Sequence, residues 1–147
     1  MKFMSGLESF GLLVLRLALA LVFIYHGYPK LVRADAGIHT FFVQHGLPSY
    51  FVTVSGVLEC FGSLLLFAGL FTRPVALLLA AEMAVAIWKV HSSAGGLVVS
   101  AYEFPLIVAT ACFALATTGA GSISFDHVFL GDEGTGKKRR SSRKSRD

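Results

Sequence analysis

Three ionisable side chains lie inside long apolar segments of the chain, at Arg16, Glu59 and Glu82. A cation at the centre of a membrane helix costs about 2.5–3.5 kcal/mol on insertion scales, so it normally has a partner or faces water. Counting about 1.5 Å per residue from the predicted helix ends gives the three side chains similar depths, and we expect them to form a central layer. One of its two carboxyls is then expected to be protonated or linked to water. This layer either binds a ligand or transfers a proton, or it only fixes the register of the helices.

Further ionisable side chains lie near the opposite ends of the same segments, at His26, Lys30, Lys89, His91 and Glu103. We expect them to form an outer polar layer, although each also has a structural interpretation. Glu103 follows Ser100 by three positions, which fits a helix capping box. Lys89 and His91 can extend to lipid headgroups, and His26 can lie at the membrane interface.

The composition indicates that the chain is embedded in a membrane. Of the 147 residues, 54% are hydrophobic and 15% are charged, and the mean hydropathy is +0.67. This is too apolar for an ordinary soluble domain of this size, so we interpret the chain as one polytopic membrane domain. The two cysteines lie far apart and form no C-x-x-C pair, and the sequence has no nucleotide-binding, zinc or haem motif. We therefore expect no bound metal and no disulfide framework.

The apolar pattern predicts an all-α fold, a bundle of four transmembrane helices over residues 7–28, 50–71, 74–90 and 102–118. The turn at 72–74 is short and forces an antiparallel hairpin. In the first outer loop, apolar residues at i, i+3, i+4 and i+7 from Ile38 predict a short interfacial helix with its apolar face on the bilayer. Residues 127–147 are polar and then basic, so we expect residues 1–126 to form the domain and the remainder to be a disordered tail.

The distribution of basic residues predicts the orientation in the membrane. Four spans place both termini on one side, together with Lys2, Arg73 and the seven basic residues of the last eleven. The opposite side carries Lys30, Arg33 and Lys89. The positive-inside rule then places both termini in the cytoplasm, with the chain in the cell (inner) membrane. We expect the basic tail to contact anionic lipid, and no nucleic acid.

Several short motifs occur in an order that resembles the DoxX family of small four-helix membrane proteins, over roughly residues 10–126. They are Arg16-Leu17, Phe23-x-x-His26-Gly27-x-x-Lys30-Leu31, Gly46-Leu47-Pro48, Gly56-x-x-Glu59, Gly69-Leu70-x-Thr72-Arg73, His91, Tyr102-Glu103 and Gly119-x-Gly121-x-x-Ser124-x-Asp126.

The resemblance implies a membrane protein associated with oxidoreductase systems, because the wider group includes a subunit of a thiosulfate:quinone oxidoreductase. Our first hypothesis is a subunit or partner of a membrane oxidoreductase. In it, the two polar layers bind a quinone, as cofactor, or another small polar headgroup, and move its protons. Two alternatives remain open. One is a small-solute or proton-coupled carrier, and the other is a non-catalytic membrane anchor that holds a soluble enzyme through the basic tail.

Overall fold

The structure, a computed structural model, describes residues 2–33, 35–91 and 99–130, with side chains for 6–33, 35–89 and 102–129. Every regular element in these ranges is helical. The helices are α1 (Lys2–Val32), α2 (Ala36–Gln44), α3 (Phe51–Ala68), α4 (Thr72–Ala86), α5 (Val99–Thr118) and α6 (Phe125–Leu130). A π-helical segment, Ile87–His91, continues α4. The all-α prediction is confirmed.

Two of the described helices are long and apolar enough to cross a membrane. They are Gly6–Val32 within α1, with a hydropathy of 2.2, and α3, with a hydropathy of 1.9. Within α5, Tyr102–Thr118 is also apolar but shorter. The boundary expected between residues 126 and 127 falls inside α6, and residues 131–147 lie outside the described part of the chain.

The four longer helices pack side by side around one apolar core. The most extensive contacts join α1 to α3 and α4 to α5, and smaller ones join α3 to α4 and α1 to α5. The largest apolar side chains of the core are Leu19, Phe23, Leu66, Leu79 and Leu115. Many large apolar side chains on the outer surface remain exposed, which is typical of a bundle that faces lipid and not water.

The turn between α3 and α4 lies three residues earlier than the predicted 72–74. Gly69 adopts the left-handed conformation, with φ 70°, and ends α3. The Asp126 carboxylate accepts hydrogen bonds from the backbone N–H of Phe71 (2.7 Å) and of Thr72 (2.8 Å), so α4 can begin at Thr72. The antiparallel hairpin is present, but a distant carboxylate sets where its second helix begins.

The prediction that α1 ends before Pro29 is wrong. The helix continues to Val32, because Lys30 and Leu31 pack closely on Gly56 of α3. These contacts outweigh the hydrogen bond that proline cannot donate. The extension carries Lys30 to the surface of α3.

Candidate functional site

Helices α1 and α3 approach each other closely at two glycines. A Cβ atom at Gly27 would lie 2.7 Å from Glu59 Cβ and 3.1 Å from the backbone nitrogen of Cys60. A Cβ atom at Gly56 would lie 3.0 Å from Lys30 Cβ. Real Cβ atoms essentially never approach as closely as the first distance, so Gly27 has no room for a side chain, and a side chain at Gly56 would require Lys30 or Leu31 to shift. The close crossing places Lys30 beside Glu59.

Four polar side chains from three helices form a connected group, which we call the Lys30 cluster: Lys30, Ser55, Glu59 and Glu82. Lys30 Nζ lies 2.9 Å from Oε2 of Glu59, whose side chain is buried. Lys30 Nζ also donates a hydrogen bond to Ser55 Oγ at 2.7 Å. The Ser55 hydroxyl in turn donates to Oε1 of Glu82 at 2.5 Å. The structure thus brings together Lys30 and both carboxyls, with a serine that links them.

Two carboxylate oxygens of the cluster are incompletely bonded. The contact between Lys30 and Glu59 Oε2 is an ion pair without hydrogen-bond alignment. Oε2 of Glu82 is buried and has no hydrogen-bond partner among the described residues. A buried acceptor without a donor is unfavourable by about 1–3 kcal/mol. The cluster therefore retains capacity to bind a further polar group.

A cavity of about 430 Å³ adjoins the cluster between α2, α3 and α4. Lys30, Ser55 and Glu82 supply charged and hydroxyl groups to its lining. The rest is largely apolar, mainly Phe41, Phe42, Leu47, Phe51, Val54, Leu58, Leu78, Met83 and Val85. An apolar cavity with a few converging polar groups is the usual form of a small-molecule site.

Helix α2 forms one wall of this cavity. The predicted short helix is confirmed, and Asp35 caps it by accepting a hydrogen bond from Ile38 N–H at 3.0 Å. Phe41, Phe42 and His45 from its apolar stripe line the cavity, and the Phe42 ring centroid lies 5.8 Å from Lys30 Nζ. The stripe therefore covers the polar cluster, a contact that the amphipathic pattern did not identify.

Arg16 is buried away from the cluster and binds backbone carbonyls. Its Nε donates to the Leu66 oxygen at 3.1 Å. One terminal nitrogen donates to the oxygens of Ala120 (2.7 Å) and Ile123 (3.0 Å). These carbonyls lie at the end of α3 and in the segment between α5 and α6. Arg16 therefore ties α1 to both of these parts of the bundle.

Of the expected central layer of Arg16, Glu59 and Glu82, the structure brings the two carboxyls together through Lys30 and Ser55, but it leaves Arg16 apart. Gly27, which contacts Glu59, follows Arg16 by eleven residues, or about 16 Å along α1. Side chains on a helix also point toward its N-terminus, so the long arginine side chain extends away from Glu59. The depths expected from the helix rise refer to Cα positions, and they do not include the direction of the side chain.

Of the side chains expected in the outer layer, Lys30 is the one that the described contacts place in the cluster. The His26 ring is exposed, with Nδ1 2.8 Å from the Val22 carbonyl oxygen, and it packs on Phe104 at 5.8 Å between centroids. Glu103 is exposed on α5. Because α5 begins at Val99, Ser100 lies inside the helix and the capping-box interpretation is wrong.

Lys89 and His91 belong to the segment that follows α4. Lys89 Nζ lies 5.3 Å from the ring centroid of Trp88 and close to Gly46, between α2 and α3. The His91 side chain lies outside the described residues. Lys89 does not line the cavity beside the Lys30 cluster.

The sequence did not indicate the roles of two residues, Ser55 in the Lys30 cluster and Asp126 at the start of α4. Ser55 precedes Glu59 by four positions and shares its helix face, so its proximity could have been inferred. Asp126 belongs to a recognised motif, but its contact with α4 joins residues 54 and 55 positions apart. No local pattern indicates such a pairing.

A larger recess of about 620 Å³ lies at the other end of the bundle and is lined by Thr72, Arg73 and Asp126, among others. Its carboxylate is already bonded to the start of α4. Thr72 Oγ1 in this recess is also buried without a hydrogen-bond partner among the described residues. The cavity beside the Lys30 cluster is the better candidate, because a buried carboxylate oxygen, Oε2 of Glu82, lacks a partner there. Within the described residues, no three His, Cys, Asp or Glu side chains gather as metal ligands would.

Comparison with known proteins gives consistent results. A family model described as DoxX matches residues 11–92, which include the whole Lys30 cluster. An uncharacterized protein of Haemophilus influenzae is 32% identical, over 86% of this chain and 98% of its own length. "Putative oxidoreductase CatD" of Bacillus subtilis is 33% identical, over 82% and 89%. "Inner membrane protein YqjF" of Escherichia coli is 29% identical, over 85% and 96%. No solved structure matches. Since the family model covers more than half of the chain and these relatives align along nearly all of their lengths, this chain is a membrane protein of the DoxX family.

Proposed function

We propose that this protein crosses the inner membrane four times and binds a quinone or a similar lipid-soluble molecule beside the Lys30 cluster. In this proposal it acts as a subunit or partner of a membrane oxidoreductase. The observation that carries the proposal is the 430 Å³ cavity, whose apolar walls end at an ammonium, a hydroxyl and a carboxyl group. A quinone has the same division, with a polar ring and an apolar tail.

The polar end of the cavity suits the quinone ring. The Lys30 ammonium has three N–H donors, and its contacts with Ser55 and Glu59 use at most two of them. A ring oxygen can accept from the remaining capacity. Because Glu59 balances the charge of Lys30, the site does not require an anionic ligand.

The apolar end of the cavity suits a tail that lies in lipid. Val54 and Leu78 line the cavity, yet they are 53% and 55% exposed on the outside of the bundle. The cavity therefore opens between α3 and α4 on a surface that faces lipid in the proposed topology. A lipid-soluble molecule can enter from the bilayer without crossing water.

The proposed four-span topology adds two further spans to the two helices that are long and apolar enough to cross a membrane, Gly6–Val32 and α3. Residues 72–91, formed by α4 and its π-helical continuation, measure just under 30 Å, close to the thickness of the hydrocarbon core. Together with α5 they complete the bundle around α1 and α3. The excess of basic residues supports cytoplasmic termini, and we propose that the basic tail contacts anionic lipid.

The association with electron transfer is supported by the name of one relative, which describes an oxidoreductase. Quinone reactions couple electrons to protons, and the Lys30 cluster can hold or pass a proton next to the ligand. The electrons would be exchanged with a second protein, which makes this chain a subunit or partner.

The carrier alternative is favoured by the same hydrogen-bonded connection from Lys30 through Ser55 to Glu82. Such a connection can couple a proton to solute movement. Solute flux into liposomes that depends on a pH gradient and is lost in Glu82→Gln would support it.

The test of ligand binding uses two matched tryptophan variants. Val54→Trp fills the cavity, whereas Val57→Trp changes an exposed position one turn later on α3 that does not line it. Each protein is extracted in mild detergent, and retained lipid-soluble molecules are identified by mass spectrometry. We expect the unmodified protein and Val57→Trp to retain a quinone, and Val54→Trp to lose it. Equal retention in all three, or failure of the unmodified protein to bind an added short-tailed quinone, would contradict the proposal.

A further inference from the structure

We infer that the cavity prefers molecules whose polar end is a hydroxyl group, a quinol or a phenol, over those that present only a carbonyl or an ether oxygen. The inference rests on the proposed function, because it concerns the same cavity. It describes a binding preference and requires no electron transfer.

The first observation is the bonding of Glu82. Ser55 accepts a hydrogen bond from Lys30, so its own hydroxyl proton is free to bond Oε1 of Glu82. Oε2 is left buried without a partner among the described residues. Because Glu82 lines the cavity, rotation about its soft terminal torsion can turn this oxygen toward a ligand.

The second observation is the position of Lys30. Its ammonium lines the same cavity as Glu82 and is linked to it through one serine. The polar end of the cavity therefore offers a donor and an acceptor to one ligand oxygen. Glu59 holds the ammonium in place from the buried side.

A hydroxyl group can bond both to the donor, Lys30, and to the acceptor, Glu82. Its oxygen accepts from Lys30 and its proton is donated to Glu82. The preference operates when Glu82 is ionised, because a protonated acid donates equally well to a hydroxyl, a carbonyl or an ether oxygen. A carbonyl or ether oxygen only accepts, and it leaves an ionised Glu82 without a donor from the ligand. An unmet bond of this kind corresponds to about a 5- to 150-fold loss of affinity.

The test compares naphthol with its methyl ether, two probes that differ by one methyl group and undergo no redox reaction under the assay conditions. Binding to the full-length protein in detergent micelles is measured by equilibrium dialysis, with empty micelles as the correction for partition. We expect naphthol to bind at least about fivefold more tightly than the ether. In Glu82→Gln this ratio should fall close to one, because the amide can donate to either oxygen. Glu8→Gln, an exposed position on α1, should retain the ratio.

The outcomes separate this inference from the proposed function. Equal binding of both probes to the unmodified protein overturns the preference and leaves the cavity as a binding site. Binding of neither probe overturns both proposals. A ratio that persists unchanged in a folded Glu82→Gln protein also overturns the inference, since Glu82 then plays no part in selection. The comparison on the unmodified protein stands even if a variant fails to fold.

Discussion

The partner of Arg16 can be identified by double-mutant cycles. Arg16→Met removes a guanidinium that is 2% exposed and donates three hydrogen bonds to carbonyl oxygens. Bonds to a charged donor contribute about 1.5–3 kcal/mol each, but the methionine still fills part of the volume and contributions do not add. We therefore expect a loss of about 3–5 kcal/mol, as when one partner of a buried pair is removed.

A double-mutant cycle tests whether the stability lost in Arg16→Met depends on Glu59. If Arg16 binds only carbonyls, combining Arg16→Met with Glu59→Gln should give a coupling energy below about 0.5 kcal/mol, as for residues that share no partner. Lys30→Met combined with Glu59→Gln should give a coupling of about 1–3 kcal/mol, because these two side chains lie 2.9 Å apart. The second cycle serves as the positive control for the first.

The assay is reversible unfolding in mixed micelles, followed by far-UV circular dichroism as a denaturing detergent is added. A coupling above about 1 kcal/mol between Arg16 and Glu59 would refute the separation of the two sites. Such a coupling would instead support a central layer formed by Arg16, Glu59 and Glu82.

Two further predictions concern how the helices are held together. Gly27→Ala should destabilise the protein by about 1–3 kcal/mol in the same unfolding assay and should weaken ligand binding, because the new Cβ would lie 2.7 Å from Glu59 Cβ. The control is Gly11→Ala. A Cβ there would meet no atom within 4 Å, so this variant should be neutral or stabilising. A harmless Gly27→Ala would disprove the close crossing. Asp126→Ala should cost about 0.5–2 kcal/mol by removing the cap of α4, and an unchanged unfolding midpoint would show that the cap contributes nothing.

The helices could be predicted from the sequence because their signals are local. Apolar length and the spacing after Ile38 each depend on a few neighbouring residues. Helix ends were less accurate where tertiary contacts decide them. Lys30 extends α1 beyond a proline through its packing on α3, and Asp126 moves the start of α4 from across the bundle.

The candidate site was predicted in part. Glu59 and Glu82 were recognised, and expected in one layer, because charge is costly in an apolar segment. Lys30 was recognised from its position near a helix end. Its pairing with the two carboxyls was not predicted, because it depends on where two glycines let the helices touch and on the direction of each side chain. Arg16 shows the same limit, since its partners are backbone carbonyls that carry no signal in the sequence.

The central claim is that a lipid-soluble molecule binds in the cavity beside the Lys30 cluster, and a methionine there can report it. Met83 lines this cavity, whereas Met4 lies in the first turn of α1, near the opposite end of the bundle. The chain has three methionines, so a protein labelled with ¹³C-methyl methionine gives few NMR signals. On titration with a short-tailed quinone we predict a saturable shift of the Met83 signal and none at Met4. An unmoved Met83 signal, or equal linear shifts at both positions, would contradict the claim.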